Sequence, residues 1–365
     1  MIRIDLIAGA RPNFVKIAPI IHEIEAVNSC QQLIKYRLIH TGQHYDRNMS
    51  DTFFEQLSIP DPHFNLGCGS GTQAEQTAGI MVGYEKLLFE EKPDVCLVVG
   101  DVTSTMACSI VAQKMHVKVV HVEAGIRSGD WSMPEEINRM VTDSITNYFF
   151  TTTRTAGDNL RSSGISEERI FFVGNTMIDT LLRQRDSFLK PYFWDNLKLE
   201  TKQYIVLTLH RPSNVDDDGP LRVLLEQVLL HSKETPIIFP IHPRTAKILK
   251  GMGMSAPRLH VVEPMSYLEF NYLVENAMAV ITDSGGITEE TTVLNVPCIT
   301  IRESTERPET VTIGTNELIG TNPQAIGPTL STLFEGKWKK GTVPELWDGK
   351  TSSRIIDHLL KIPGL

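Results

Sequence analysis

Short apolar runs rich in β-branched residues alternate with amphipathic stretches along nearly the whole chain. Runs that are apolar at every position are typical of strands buried on both faces, as in parallel sheets covered by helices. The stretches between them, such as Phe14–Ile24, have the apolar spacing of helices. This pattern predicts an α/β protein. The predicted strands are Ile2–Ala8, Tyr36–Thr41, Val95–Gly100, Val117–Val122, Tyr148–Thr152, Ile170–Val173, Tyr204–Leu209, Pro236–Ile241, Leu259–Val262, Ala279–Thr282 and Cys298–Ile301.

The predicted strands are too many for one ordinary doubly wound sheet. We therefore predict two Rossmann-like domains that face a central cleft, which is a favoured place for ligands. The first domain covers residues 1–175 and the second covers residues 176–351. The irregular stretch Leu189–Lys202 leads into the second sheet, and a C-terminal helix within residues 352–365 is expected to pack back on the first domain.

Composition narrows the possible functions. A net charge of −9 over 365 residues argues against a broad surface for nucleic acid. The longest apolar stretches fall short of the ~18 residues of a membrane-spanning helix, and the first residues have the pattern of a strand instead of a signal peptide. The cysteines lack the spacing of a metal site, which favours a reducing compartment. We expect a cytoplasmic protein with no metal site and no nucleic-acid or membrane partner.

The residues after the predicted strand Ala279–Thr282 favour an anion site. Ser284, Gly285 and Gly286 stand where a helical pattern begins. A helix start offers unpaired N–H groups and the positive end of the helix dipole, and glycine lets the backbone approach a ligand closely. We predict a phosphate here, with Glu290 one turn further on to accept hydrogen bonds from ribose hydroxyls. The alternative is a tight turn that binds nothing.

Polar side chains follow five of the predicted strands. Ligands of open α/β sheets bind at the carboxyl ends of the strands, so these side chains are candidates for one active site. The first half of the chain places carboxylates there, and the second half places cations beside the phosphate turn. The residues concerned are Arg11, Lys16, Asp101 and Glu123 in the first half, and His210, Arg302 and Glu306 in the second.

Each of these groups also has a purely structural explanation. Asp101 is suited to cap the helix that follows it, and Glu123 is suited to an ion pair with Arg127. His210 fits an ordinary loop histidine. The acidic pair Glu135–Glu136 is favoured by the dipole of the helix that begins there.

A series of motifs runs through the chain in a fixed order: Ala10-Arg11-Pro12 with Lys16, Thr41–His44, Gly100–Thr105, His121–Arg127, Pro134–Arg139, His210–Arg211, Asp283–Glu290 and Thr305–Glu309. This series resembles the non-hydrolysing UDP-N-acetylglucosamine 2-epimerases up to about residue 321. The resemblance implies the fold of the B-type glycosyltransferases and a homodimer. It also implies interconversion of UDP-GlcNAc and UDP-ManNAc, without redox cofactor or metal, for cell-surface polysaccharides.

The resemblance implies a chemistry in which UDP leaves C1 while a carboxylate removes the C2 proton. The resulting 2-acetamidoglucal is re-protonated on its other face, and UDP returns. By resemblance, Asp101, Glu123 and Glu135 are the acid/base candidates, and which of them serves which face stays open. His210, with Arg11 and Lys16, holds the diphosphate and is also placed to protonate the leaving oxygen. The remaining implied contacts are phosphate at Ser284, Gly285 and Gly286, ribose at Glu290, and the nucleotide and sugar pockets at Arg302 and Glu306.

Four alternatives stay open. The segment His210–Asp216 differs from the His-Arg-Arg-Glu type common in housekeeping members, which leaves room for a modified UDP-HexNAc such as a deoxy, diacetamido or uronic sugar. A hydrolysing epimerase that releases ManNAc, a UDP-sugar glycosyltransferase of the same fold, and a non-catalytic sensor are the others. A sensor predicts binding without turnover.

Bacterial members of the family often bind a second UDP-GlcNAc as an activator. Gln43 matches one usual contact, but Asp46 stands at the second position, and Cys68–Thr72 offers no arginine. Because a carboxylate repels a diphosphate, we predict that activation by substrate is weakened or absent. Velocity measured against UDP-GlcNAc concentration should then be hyperbolic. A strongly sigmoidal curve, with UDP-ManNAc turned over only after UDP-GlcNAc is added, would contradict this prediction.

Overall fold

The computed structural model describes residues 1–42, 54–69, 71–211, 214, 218–241, 243–254 and 256–365. Within them, the side chains at positions 11, 218, 243, 244, 247 and 250 are not described. The chain divides by its contacts into two compact units. The first unit is Met1–Arg183 with Glu345–Leu365, and the second is Gln184–Pro344.

The first unit contains one parallel sheet with the strand order β3-β2-β1-β4-β5-β6-β7. Its central strands are apolar at almost every position and buried, as expected for a sheet covered on both faces. The strands are β1 Ile2–Ala8, β2 Ile34–His40, β3 Phe64–Asn65, β4 Val95–Val99, β5 Lys118–Val122, β6 Tyr148–Thr151 and β7 Ile170–Phe172. The helices are Arg11–Cys30, Gln73–Glu90, Thr103–Lys114, Pro134–Ile145, Arg154–Ser162, Thr176–Gln184 and Thr351–Leu359, with a 3-10 turn at Glu167–Arg169.

The second unit contains another parallel sheet, with the strand order β10-β9-β8-β11-β12-β13. Helices Asp218–His231 and Ile326–Phe334 pack on a core that includes Leu207, Phe239 and Ile281. The strands are β8 Ile205–Thr208, β9 Ile237–Pro240, β10 Leu259–Val262, β11 Ala279–Thr282, β12 Cys298–Thr300 and β13 Asn316–Leu318. The other helices are Pro243–Gly251, Tyr267–Asn276, Gly285–Val293 and Pro308–Thr312, with 3-10 turns at Arg185–Ser187 and Pro323–Ala325.

The predicted fold class, two parallel sheets with helices, is confirmed. Sequence patterning missed β3 and β13, which lie at sheet edges. The missed strands are only two and three residues long, too short to produce a recognisable apolar run. No helix among the described residues is long and apolar enough to cross a membrane.

The boundary between the two compact units lies between Arg183 and Gln184. It is later in the chain than the predicted boundary between residues 175 and 176. Helix Thr176–Gln184 is tied to the first unit, because Thr180 Oγ1 donates to the carbonyl oxygen of Val15 at 2.6 Å. Asp179 accepts from Thr351 N at 3.0 Å and from Ser352 N at 2.7 Å. The C-terminal helix is thereby held beside helix Arg11–Cys30, against which it packs. The assignment of two Rossmann-like domains with these bounds stays a prediction.

Asp179 is the buried anchor of the C-terminal helix. Its carboxylate supplies acceptors for the first N–H groups of Thr351–Leu359, which have no acceptor inside the helix. We expect Asp179→Ala to lower the free energy of unfolding by about 2–3 kcal/mol, since it removes charge-assisted capping bonds. Chemical denaturation checks this, with Asp186→Ala as the control, because Asp186 is exposed. Equal stability of the two variants would contradict the anchoring role.

Candidate functional site

Glu123 follows β5 directly and is buried, with 3% of its surface exposed. Lys16 Nζ donates to Glu123 Oε2 at 2.6 Å and compensates its charge. The backbone of Glu123 has φ of 68°, a left-handed conformation that costs a non-glycine residue about 1 kcal/mol or more. Strain of this kind is often found at functional sites. The alternative explanation, an ion pair of Glu123 with Arg127, is wrong, since Arg127 pairs with Asp143 instead, with Nη1 at 2.6 Å from Asp143 Oδ2.

Gly100, after β4, allows this ion pair to lie against the backbone. Its φ is +70°, and a Cβ there would lie 3.3 Å from Lys16 Nζ and 3.5 Å from Glu123 Oε2. Asn13 joins the same edge of the sheet, because its Nδ2 donates to Val99 O at 2.9 Å while its Oδ1 accepts from Ala10 N at 3.0 Å. The ends of β1, β4 and β5 therefore meet around Lys16 and Glu123.

His121 and Asp143 support the turns after β4 and β5. His121 is fully buried, with Nδ1 at 2.7 Å from Asp143 Oδ1 and Nε2 at 2.8 Å from Gly100 O. Asp143 Oδ2 accepts from Gly125 N at 3.1 Å. Burial alone would raise the pKa of Asp143, but hydrogen bonding to His121 and the charge of Arg127 lower it below its usual value. This carboxylate is therefore ionised and fixes both turns.

Asp101 does not cap the helix after it, so that structural explanation is wrong. The N-cap residue is Val102, with no side-chain hydrogen bond. Asp101 Oδ2 instead accepts from Arg139 Nε at 2.9 Å and lies 2.8 Å from Arg139 Nη2.

Arg139 also pairs with Glu136. Glu136 accepts from Ser128 N at 3.0 Å. Burial raises the pKa of Glu136, but these donors outweigh burial and lower it.

Glu135 lies in the first turn of helix Pro134–Ile145 and is half-buried. None of the described hydrogen bonds or ion pairs involves its carboxylate, which distinguishes it from its neighbour Glu136. The side chain of Arg11 lies outside the described residues. The segment with Gln43 and Asp46 lies outside them as well.

In the second unit, Ser284 is the N-cap of helix Gly285–Val293, which begins just after β11. Its side chain makes no capping bond. The first N–H groups of a helix have no intrahelical acceptor, and Ser284, Gly285 and Gly286 are only partly buried. A helix start of this kind is suited to bind an anion.

Arg302 and Glu306 lie against this helix start. Arg302 Nη2 is 2.6 Å from Glu306 Oε2, and Nη1 is 3.2 Å from Oε1, a two-point ion pair. A Cβ on Gly285 would lie 2.5 Å from Glu306 Oε1, so a larger residue here would displace the Glu306 carboxylate. Burial raises the pKa of Glu306, but Arg302 outweighs burial and lowers it to about 2. The carboxylate is therefore ionised and already paired.

Glu290 is buried one turn beyond the glycines and has no cation beside it among its described contacts. The Tyr267 hydroxyl donates to Glu290 Oε1 at 3.0 Å. Because burial disfavours the charged form, the pKa of Glu290 is raised from 4.5 to about 7.

His210 follows β8 beside Asp283, which follows β11. These strands are neighbours with Thr208 opposite Thr282, so the residues beyond their ends come together. His210 Nδ1 lies 2.6 Å from Asp283 Oδ1, while 63% of the His210 side chain is exposed. Asp283 is fully buried and also accepts from Arg211 N at 3.0 Å and Asn214 Nδ2 at 2.9 Å. Burial raises the pKa of Asp283, but these donors, His210 first, lower it.

Within each unit, the structure brings some of the predicted site residues together. Lys16 lies beside Glu123, and Arg302 with Glu306 lies beside Gly285. Sequence reasoning gave no role to Asp143, Arg139 or Asp283. One signal was available: helix Pro134–Ile145 buries polar residues and exposes apolar ones, the reverse of an ordinary surface helix. Polar side chains on a buried helix face require partners, which here are the strand-end turns.

A family model described as UDP-N-acetylglucosamine 2-epimerase matches residues 28–360. The chain belongs to this family. The resemblance inferred from the motifs is confirmed, and the predicted enzyme class, a non-hydrolysing isomerase, is that of the epimerase family.

Individual epimerases are similar to this chain over almost its full length. The UDP-N-acetylglucosamine 2-epimerase of Methanocaldococcus jannaschii is 41% identical, over 97% of this chain and 98% of its own. A crystal structure of M. jannaschii UDP-GlcNAc 2-epimerase in complex with UDP-GlcNAc and UDP matches with a TM-score of 0.87, over 99% of this chain and 100% of that one. The UDP-2,3-diacetamido-2,3-dideoxy-D-glucuronate 2-epimerase of Pseudomonas aeruginosa is 36% identical, over 99% and 100% of the two chains.

The raised pKa of Glu290 predicts a pH-dependent stability. The carboxyl titrates near 4.5 in the unfolded chain and near 7 in the folded one, so the folded state holds more protons between these values. Stability contributed by this group therefore falls as pH rises through that window, and the penalty is complete above about pH 7. We expect Glu290→Gln to raise the free energy of unfolding at pH 8 by about 2–3 kcal/mol and to change little at pH 5.

Chemical denaturation at both pH values measures this difference. Glu226→Gln is the matched control, because Glu226 is exposed in the same unit. Destabilisation of Glu290→Gln by the same amount at both pH values would show that the buried carboxyl carries no such penalty.

Proposed function

We propose that this protein interconverts UDP-GlcNAc and UDP-ManNAc by epimerisation at C2, without a redox cofactor or metal. The observation that carries the proposal is the buried Lys16–Glu123 pair at the carboxyl edge of the first sheet. Asp101 and Glu135 belong to the same unit, the first just beyond β4 and the second at the start of helix Pro134–Ile145. Membership of the epimerase family supports the choice of substrate.

The chemistry needs acid/base groups for C2 and a site for the departing diphosphate. A C2 proton of a sugar is not adjacent to a carbonyl, so it becomes acidic only as the C1–oxygen bond breaks. A carboxylate takes the proton, the C1–C2 double bond forms, and the bonding electrons leave with UDP. In the return step a carboxylic acid protonates the other face of C2 while UDP adds to C1. We assign these proton transfers to Asp101, Glu123 and Glu135.

The second unit is assigned the nucleotide. Ser284 and the uncapped N–H groups of Gly285 and Gly286 are suited to stabilise the diphosphate as its charge develops. The N–H of Ser284 itself donates to Thr282 Oγ1 at 3.0 Å. Glu290 is assigned to the ribose hydroxyls. His210 is assigned to protonate the departing oxygen, with Lys16 and Arg11 as further diphosphate contacts.

A modified UDP-HexNAc is the second candidate substrate. It is favoured by the 36% identity to an epimerase of a diacetamido glucuronate and by the departure at His210–Asp216 from the housekeeping sequence. A homodimer and a cytoplasmic location stay predictions; light scattering of the purified protein tests the first.

Proton NMR of the purified protein with UDP-GlcNAc in D2O tests the main proposal. We expect UDP-ManNAc to form with deuterium at C2, since the proton is exchanged during elimination. In Asp101→Asn we expect kcat to fall roughly 100-fold or more. The affinity for UDP should change less than roughly tenfold, about 1.4 kcal/mol.

The matched control is Asp158→Asn, because Asp158 is an exposed carboxylate that pairs with Arg161 on the surface. It should keep the wild-type rate. Free ManNAc with UDP would assign the protein to the hydrolysing class, and turnover only of a diacetamido or uronic UDP-sugar would favour the second candidate. Loss of UDP binding in Asp101→Asn would indicate a structural role for Asp101.

A further inference from the structure

Asp283 is a fully buried carboxylate to which the resemblance to the epimerase family assigned no role. It lies beyond the end of β11, at the point where the strand order of the second sheet reverses between β8 and β11. Crevices at such reversal points are where open α/β sheets bind ligands. The position therefore connects Asp283 with the site already described.

The contacts of Asp283 converge on His210. The backbone N–H of His210 lies 3.1 Å from both carboxylate oxygens, and the ring Nδ1 lies 2.6 Å from Oδ1. Backbone and ring of one residue are thus held by a single carboxylate. Rotation of the imidazole would break the shortest of these contacts.

This contact determines which ring nitrogen carries the proton in the neutral ring. An ionised carboxylate has no hydrogen to donate, so the nitrogen that faces it must be the donor. Nδ1 therefore carries the hydrogen, and Nε2 is left with the lone pair. None of the described hydrogen bonds involves Nε2, and most of the side chain is exposed.

We propose that Asp283 is the positioning residue that fixes His210 as the Nδ1–H tautomer and presents Nε2 to the oxygen that departs with UDP. This proposal rests on the proposed function for the identity of the ligand. The charged ring carries a proton on Nε2, gives this proton to the departing oxygen, and takes it back from that oxygen when UDP adds to C1. Asp283 stays ionised throughout and stabilises the charged ring.

A simpler role for Asp283 is to tie the loop after β8 to the sheet. Arg211 N and Asn214 Nδ2 also donate to its Oδ2, and these bonds serve that purpose. Oδ1, however, faces the imidazole ring, which loop tethering does not require. The two roles separate by mutation, because Asn214→Ala removes a tether and leaves the contact with the ring.

The first test is the tautomer itself, measured by long-range nitrogen–proton NMR of the imidazoles. His210→Asn identifies the His210 signals by their loss. We expect the neutral ring of the wild-type protein to carry its proton on Nδ1. In Asp283→Asn we expect a substantial population protonated on Nε2. This readout needs neither turnover nor a known substrate, and a wild-type ring protonated on Nε2 would overturn the proposal.

The second test is a double-mutant cycle on epimerisation. We expect Asp283→Asn to lower kcat roughly 100-fold, with UDP affinity changed less than about threefold. Asn214→Ala should lose less than about tenfold. If Asp283 acts through His210, adding Asp283→Asn to His210→Asn should cause no further loss.

If the two losses of kcat multiply in the double variant, Asp283 does not act through His210. If Asn214→Ala loses as much kcat as Asp283→Asn, the effect of Asp283 comes from holding the loop. Either result would show that Asp283 only ties the loop to the sheet. If Asp283→Asn does not fold, the wild-type tautomer still decides the proposal. If the wild-type protein does not epimerise UDP-GlcNAc while His210 is protonated on Nδ1, the substrate assignment fails and the positioning role stands.

Discussion

A carboxylate removed from water is tolerated only where cations or N–H donors replace its hydration. Buried carboxylates lie close to the carboxyl ends of the central strands in both sheets, and most of them have a specific cation or N–H partner. Lys16 compensates Glu123, and His121 with Arg127 compensates Asp143. The arrangement of these partners fixes the turns on which the candidate catalytic groups are carried.

The compensation is uneven, as Glu306 and Glu290 show. Glu306 is held by a two-point contact with Arg302 and has a pKa of about 2, so it stays ionised. Glu290 has Tyr267 and Asn271 beside it but no cation among its described contacts, and burial raises its pKa to about 7, so its charge is costly without a ligand. A ribose that donates hydrogen bonds to Glu290 would stabilise the ionised form of this carboxylate.

Within each sheet, the strand order determines where residues from different strand ends come together. In the first sheet the order reverses between β1 and β4, and in the second between β8 and β11. Connections leave such neighbours in opposite directions, so the space beyond their ends stays open. Asn13 and Gly100 lie at the first reversal point, and His210 and Asp283 lie at the second.

The sequence by itself determined the two-sheet architecture, most strand positions and the strand-to-helix turn at Ser284–Gly286, because these depend on local apolar patterning and on glycine. The motifs, which follow one another in a fixed order along the chain, also identified the family. Only the tertiary structure decided the partners: Lys16 with Glu123, Arg139 with Asp101, and Asp283 with His210. These pairs join residues that are 107, 38 and 73 positions apart. Strand order and register bring such residues together, and no local pattern in the chain records them.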